Sequence, residues 1–157
     1  MNSTSRIFCL LFAMVLTGGV QAQTVEVKNA WARATVQGQK ATGAFMQITA
    51  PVATTLIGVS TPVAGVAEIH EMKMDGDVMR MRPLTQGLKL PAGKAVQLQP
   101  GGYHLMLMDL KVALQKDSTI PLTLTFKDSK GVQSTQELRV PVRVAAPAEA
   151  GHHQHGN

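Results

Sequence analysis

The stretch Ile120-Pro121-Leu122-Thr123-Leu124-Thr125-Phe126 alternates apolar and non-core residues without a fault. Side chains on a strand point to opposite faces at a period of two, so this pattern suits a half-buried strand and no helix. The same reading places strands at Thr24 to Trp31, Ala44 to Ile48, Leu56 to Val59, Val66 to Met72, Val78 to Arg82, Ala95 to Leu98, Tyr103 to Leu110 and Leu138 to Val144. Gly and Pro separate them, at Pro51, Pro62, Asp75-Gly76, Pro83, Pro91-Ala92-Gly93, Pro100-Gly101-Gly102 and Lys130-Gly131. Many short strands at this spacing predict an antiparallel β-sandwich or barrel. Only Leu110 to Lys116 reads as helical, for a turn or two.

The ends of the chain follow other rules. Arg6, the apolar run Ile7 to Leu16 and the close at Val20-Gln21-Ala22 have the charge, core and small-residue site of a secretory signal peptide. The apolar run is shorter than the ~20 residues of a transmembrane helix. Cys9 lies inside that run instead of after small residues at its end, which argues against a lipid-modified cysteine. Cleavage after Ala22 leaves a domain over residues 23–144 with no cysteine, no membrane span and an address outside the cytoplasm. Residues 145–157 form an Ala/Pro linker and a His-rich tail expected to be flexible. The net charge of +5 is spread singly along the chain, with few aromatics, which disfavours nucleic acid as a partner.

Histidine and methionine usage carries the chemistry. Outside the tail the only histidines are His70 and His104, and six of the seven methionines after residue 22 fall beside them: Met72, Met74, Met79, Met81, Met106 and Met108. With Asp75-Gly76 as a two-residue hairpin loop, His70 faces Met81, Met72 faces Met79, and Glu71 pairs with Arg80 on the other face. Alternation puts His104, Met106 and Met108 on one face and Tyr103, Leu105 and Leu107 on the other. Two imidazoles and two thioethers can thus converge. Thioethers select Cu(I), and with no thiolate the ion is exchangeable, as a carrier requires. A blue-copper centre needs a cysteine that the mature chain lacks. No Gly-x-Ser-x-Gly elbow, Cys nucleophile or grouped carboxylates point to an enzyme.

These motifs carry a family resemblance. Val27-Lys28-Asn29-Ala30-Trp31-Ala32-Arg33-Ala34-Thr35, Gly43-Ala44-Phe45-Met46, Ala67-Glu68-Ile69-His70-Glu71-Met72, Met79-Arg80-Met81-Arg82-Pro83, Pro100 to Met108 and Pro121 to Phe126 resemble the periplasmic PCuAC copper chaperones, across nearly all of the mature domain. The resemblance implies a cupredoxin-like, Greek-key β-sandwich and a Cu(I) site on His70, Met81, His104 and Met106. It also implies a periplasmic copper chaperone that delivers to the CuA centre in subunit II of cytochrome c oxidase, alongside thiol-bearing assembly factors. A periplasmic copper buffer without a dedicated acceptor would share the same site.

In family members that have a His-rich tail, that segment looks like an additional Cu(II)-binding element. Here it would act through His152, His153 and His155, imidazoles without thioethers that suit Cu(II). Truncation after Ala146 is expected to weaken Cu(II) binding clearly and leave Cu(I) binding within a few-fold. Parallel Cu(II) and Cu(I) titrations check it, and an unchanged Cu(II) curve would make the tail a bystander.

Overall fold

The structure, a computed structural model, describes residues 24–146, so the expected signal peptide and the tail histidines His152, His153 and His155 lie outside the described residues. Ten strands follow in chain order: β1 (Glu26–Arg33), β2 (Ala41–Thr49), β3 (Thr54–Ser60), β4 (Ala64–Asp75), β5 (Val78–Pro83), β6 (Leu88–Leu90), β7 (Ala95–Leu98), β8 (His104–Leu110), β9 (Thr119–Asp128) and β10 (Gln133–Arg143). Their hydrogen-bonded order is β5-β4-β8-β2-β1-β10-β9-β3-β6, with β7 also pairing β2. Every pairing between strands is antiparallel except β1 with β10, whose chains run the same way.

The period-two pattern becomes burial directly. In β9, Ile120, Leu122, Leu124 and Phe126 are buried while Thr119 and Pro121 are exposed. They meet Leu56, Val140 and Val142 from β3 and β10, and Ile48, Ile69, Leu105 and Leu107 from β2, β4 and β8, in one apolar core. Each such side chain contributes about 1.5–3 kcal/mol by leaving water.

A bulge decides what lies on the other face. Glu26, Val27 and Lys28 of β1 pair with Thr49, Ile48 and Gln47, but Trp31 pairs with Phe45, so one extra residue has been inserted between Lys28 and Trp31. Asn29 absorbs it with φ of 52°, in the left-handed region that Asn tolerates better than most residues. Strict alternation from Val25 and Val27 would carry Trp31 into the core. The bulge turns it to the opposite face, where it packs on Phe45 at a ring-centroid distance of 4.7 Å.

The structure corrects two local expectations. Residues 111–118 form bends and turns with no helix. Leu114 is buried there, and its backbone N–H donates to Thr35 Oγ1 at 2.8 Å while its carbonyl accepts from the Thr35 N–H at 3.0 Å. Those bonds tie the segment to the chain after β1 instead of to its own previous turn. In the hairpin, the loop is Gly76-Asp77, one step later than expected. His70 therefore lies opposite Pro83, Glu71 opposite Arg82, Met72 opposite Met81 and Met74 opposite Met79. Gly76, at φ 63°, takes the first loop position, as a type II′ turn demands. Asp75 stays in β4, where its carboxylate meets Arg80 at 2.9 Å. The shift is two residues, so each side chain keeps its expected face.

Gly43 illustrates how closely the outer face is fitted. A Cβ there would fall 2.7 Å from the Phe45 ring, which is itself buried and held against Trp31. Gly43→Ala is expected to cost about 1–3 kcal/mol, the range for forcing an extra carbon into a packed site. Denaturant unfolding checks it, and an unmoved midpoint would mean that Phe45 swings away freely.

Candidate metal centre

Three neighbouring strands bring the histidines together. β8 pairs with β4 so that His70 and His104 are direct cross-strand partners, and with β2 so that Met106 lies opposite Gly43. Leu105 and Leu107 point into the core, which forces His104 and Met106 to the outer face. The two imidazoles are 5.8 Å apart between ring centroids and 6% and 7% exposed, a low value for residues outside the main core.

Each imidazole has one nitrogen engaged and one free. His104 Nδ1 donates to the Gly102 carbonyl at 3.1 Å, and a carbonyl can only accept. In the neutral ring this leaves the Nε2 lone pair directed at Met81 Sδ, 3.3 Å away. An imidazole nitrogen and a thioether sulfur at that separation are close enough to hold one ion together. His70 shows the reverse arrangement. Its Nε2 donates to Glu68 Oε2 at 2.7 Å, and its Nδ1 is buried with no hydrogen-bonding partner. An orphaned buried nitrogen is costly unless something occupies it, and a carboxylate behind an imidazole is the usual means of orienting a ligand histidine.

The surroundings are soft and apolar. A cleft of about 320 Å³ is lined by Met72, Met81, His104 and Met106, with Phe45 and Arg33 at its side. Three of the four expected ligands share this cleft, while His70 adjoins it through its pairing with His104. Met81 comes from the sheet-edge strand β5 and is 48% exposed. The Arg33 guanidinium sits 5.6 Å from the Phe45 ring centroid, a cation–π distance, and Phe45 lies 6.5 Å from His104. Among the described residues, no three or more His, Cys, Asp or Glu side chains cluster as a metal site. Coordination of an ion by this cleft thus depends on sulfur.

Some of these parts lay outside the sequence reading. Glu68 was discoverable, because Glu-x-His on a strand puts both side chains on one face. Met72 is found directly opposite Met81, the place expected for His70. The Gly102 carbonyl, Arg33 and the Trp31–Phe45 pair carry no local signal, since they arrive by long-range pairing.

Comparison with known proteins matches these features to a family. A family model described as "Putative lipoprotein LpqE-like" matches residues 25–142. A Leifsonia xyli protein named "Putative lipoprotein Lxx21020" is 33% identical over 131 residues, covering 83% of this chain and 76% of its own length. Among solved structures, CuI-DR1885 from Deinococcus radiodurans superposes with a TM-score of 0.59 at 29% identity, over 80% of this chain and 83% of the other. The copper-bound PCuAC domain from PmoF2 superposes with a TM-score of 0.58 at 22% identity, over 78% and 93%. The expected cupredoxin-like all-β fold is thereby borne out, and the chain belongs to the LpqE-like family.

Proposed function

We propose that this protein is an extracytoplasmic copper metallochaperone that binds Cu(I) through His70, Met81, His104 and Met106 and passes it to an acceptor. One observation carries the reading: His104 Nε2 and Met81 Sδ face each other at 3.3 Å while Nδ1 of the same ring is engaged by the Gly102 carbonyl, which places two donor atoms to meet on one ion. An imidazole beside a thioether is a donor pair suited to a soft cation. The buried, partnerless Nδ1 of His70 supports a second imidazole ligand, and the copper bound by the PmoF2 domain and by DR1885 supports the metal's identity.

Buried imidazoles combined with an exposed thioether on an edge strand suit transfer. The histidines hold the ion in the sheet, while Met81 stands where an acceptor's ligand can displace it. In this reading the acceptor is the CuA site of oxidase subunit II or a thiol-bearing assembly factor, and the tail histidines assist with Cu(II). A signal peptide over residues 1–22 delivers the chain to the periplasm. Cys9 lies within its apolar run. No helix among the described residues is long and apolar enough to cross a membrane.

Replacing Met81 and Met106 together by Leu conserves volume and should cost little stability. The variant is expected to lose tight Cu(I) binding in competition with a chromophoric chelator while unfolding near the wild-type midpoint. Wild-type Cu(I) affinity in a folded M81L/M106L protein would sink the ligand assignment. Glu68→Gln tests the orienting carboxylate. It keeps the shape but replaces an obligate acceptor with an amide that can also donate, and is expected to weaken Cu(I) binding about 10-fold, the low end for an outer-shell partner.

A further inference from the structure

The β4–β5 hairpin extends beyond the cleft and carries methionines the site does not use. Met72 pairs with Met81, and the next rung on the same face pairs Met74 with Met79. Directly opposed residues have Cβ atoms ~4.5–5.5 Å apart, so each rung can bring two sulfurs to one ion. The rungs are two residues apart, about 7 Å along the strand. The usual reason for methionine on a strand is to fill an irregular gap in a core. That reason fails here, because Met74 is 54% and Met79 48% exposed. On the opposite face of the hairpin the carboxylates are already engaged, Asp75 with Arg80 at 2.9 Å and Glu71 with Arg82 at 3.0 Å. The hairpin tip therefore offers paired thioethers with a single loop carboxylate, Asp77, a donor set for a soft monovalent cation and a poor one for a hard divalent ion, which needs several oxygen ligands.

We propose that Met74 and Met79 form a second, weaker Cu(I) site at the hairpin tip, from which the ion moves by thioether exchange along Met72 and Met81 toward His104. The proposal rests on the Cu(I) reading of the cleft for the destination of the ion, and on the hairpin alone for the site itself. No change of oxidation state occurs. Each step replaces one neutral sulfur ligand by another, so no proton or electron moves. Two thioethers without imidazole bind less firmly than the cleft, which favours onward movement.

Methionine methyl resonances of the full-length chain, labelled at the methyl carbon, test the idea in a titration with Ag(I) as a redox-inert stand-in for Cu(I). The first phase is expected to move Met81 and Met106, and a second, weaker phase Met74 and Met79. M74L/M79L should abolish the second phase and slow capture of Cu(I) from a chelator several-fold. Affinity at the cleft should stay within about two-fold, as for independent sites. In M81L/M106L the tip phase should persist, so a failure of the cleft assignment would appear separately, as a wild-type protein with the tip phase alone. Met74 and Met79 methyl signals that stay unmoved with Ag(I) in excess would overturn the proposal, as would Cu(I) capture by M74L/M79L at the wild-type rate.

Discussion

The register of β8 between β4 and β2 is the constraint on which the rest of the molecule depends. Leu105 and Leu107 are fully buried, and slipping β8 by one residue would expose both and drive His104 and Met106 into the core. The hydrophobic stabilisation of one face thus sets the positions of the donor atoms on the other. The fold holds the two imidazoles 5.8 Å apart between ring centroids with no ion present. Such preorganisation lowers the ordering cost of binding.

The outer face is graded from rigid to accessible. His104 is fixed from below by Phe45 and at Nδ1 by the Gly102 carbonyl, and His70 is held by Glu68. Beyond them, β5 has only β4 as a neighbour, and all six of its residues are exposed. Edge strands with one paired side open more readily than central ones. The proposed carrier role needs a ligand that comes off as well as ligands that stay, and the two strands offer candidate donors of both kinds.

The extent to which the sequence revealed this follows from the range of each interaction. Alternation in β8 and β9 is written locally, so the faces of Leu105, Met106, Ile120 and Phe126 were readable residue by residue. The three-residue β6 was not, since Leu88-Lys89-Leu90 is too short to show a period and is recruited by β3. The hairpin was readable as a hairpin, but its register depended on whether Gly76 stood first or second in the loop. Gly76 stands first, and Asp75 closes the strand opposite Val78. The expected helix at 110–116 failed because Thr35, far away in the chain, satisfies the backbone of Leu114. The cleft combines both ranges: the hairpin register put Met72 across from Met81, and long-range pairing of β8 brought His104 and Met106 beside them.

The bulge at Asn29 has an optical side. Trp31 is the only tryptophan in the chain, and the extra residue places its indole in the outer layer, stacked on the ring that underlies His104. Without the bulge the same indole would sit between the sheets among the aliphatic side chains. The protein's intrinsic emission consequently surveys the histidine layer and not the aliphatic interior. A spectroscopist following that one chromophore is watching the floor of the cleft, with the sandwich interior outside the field of view.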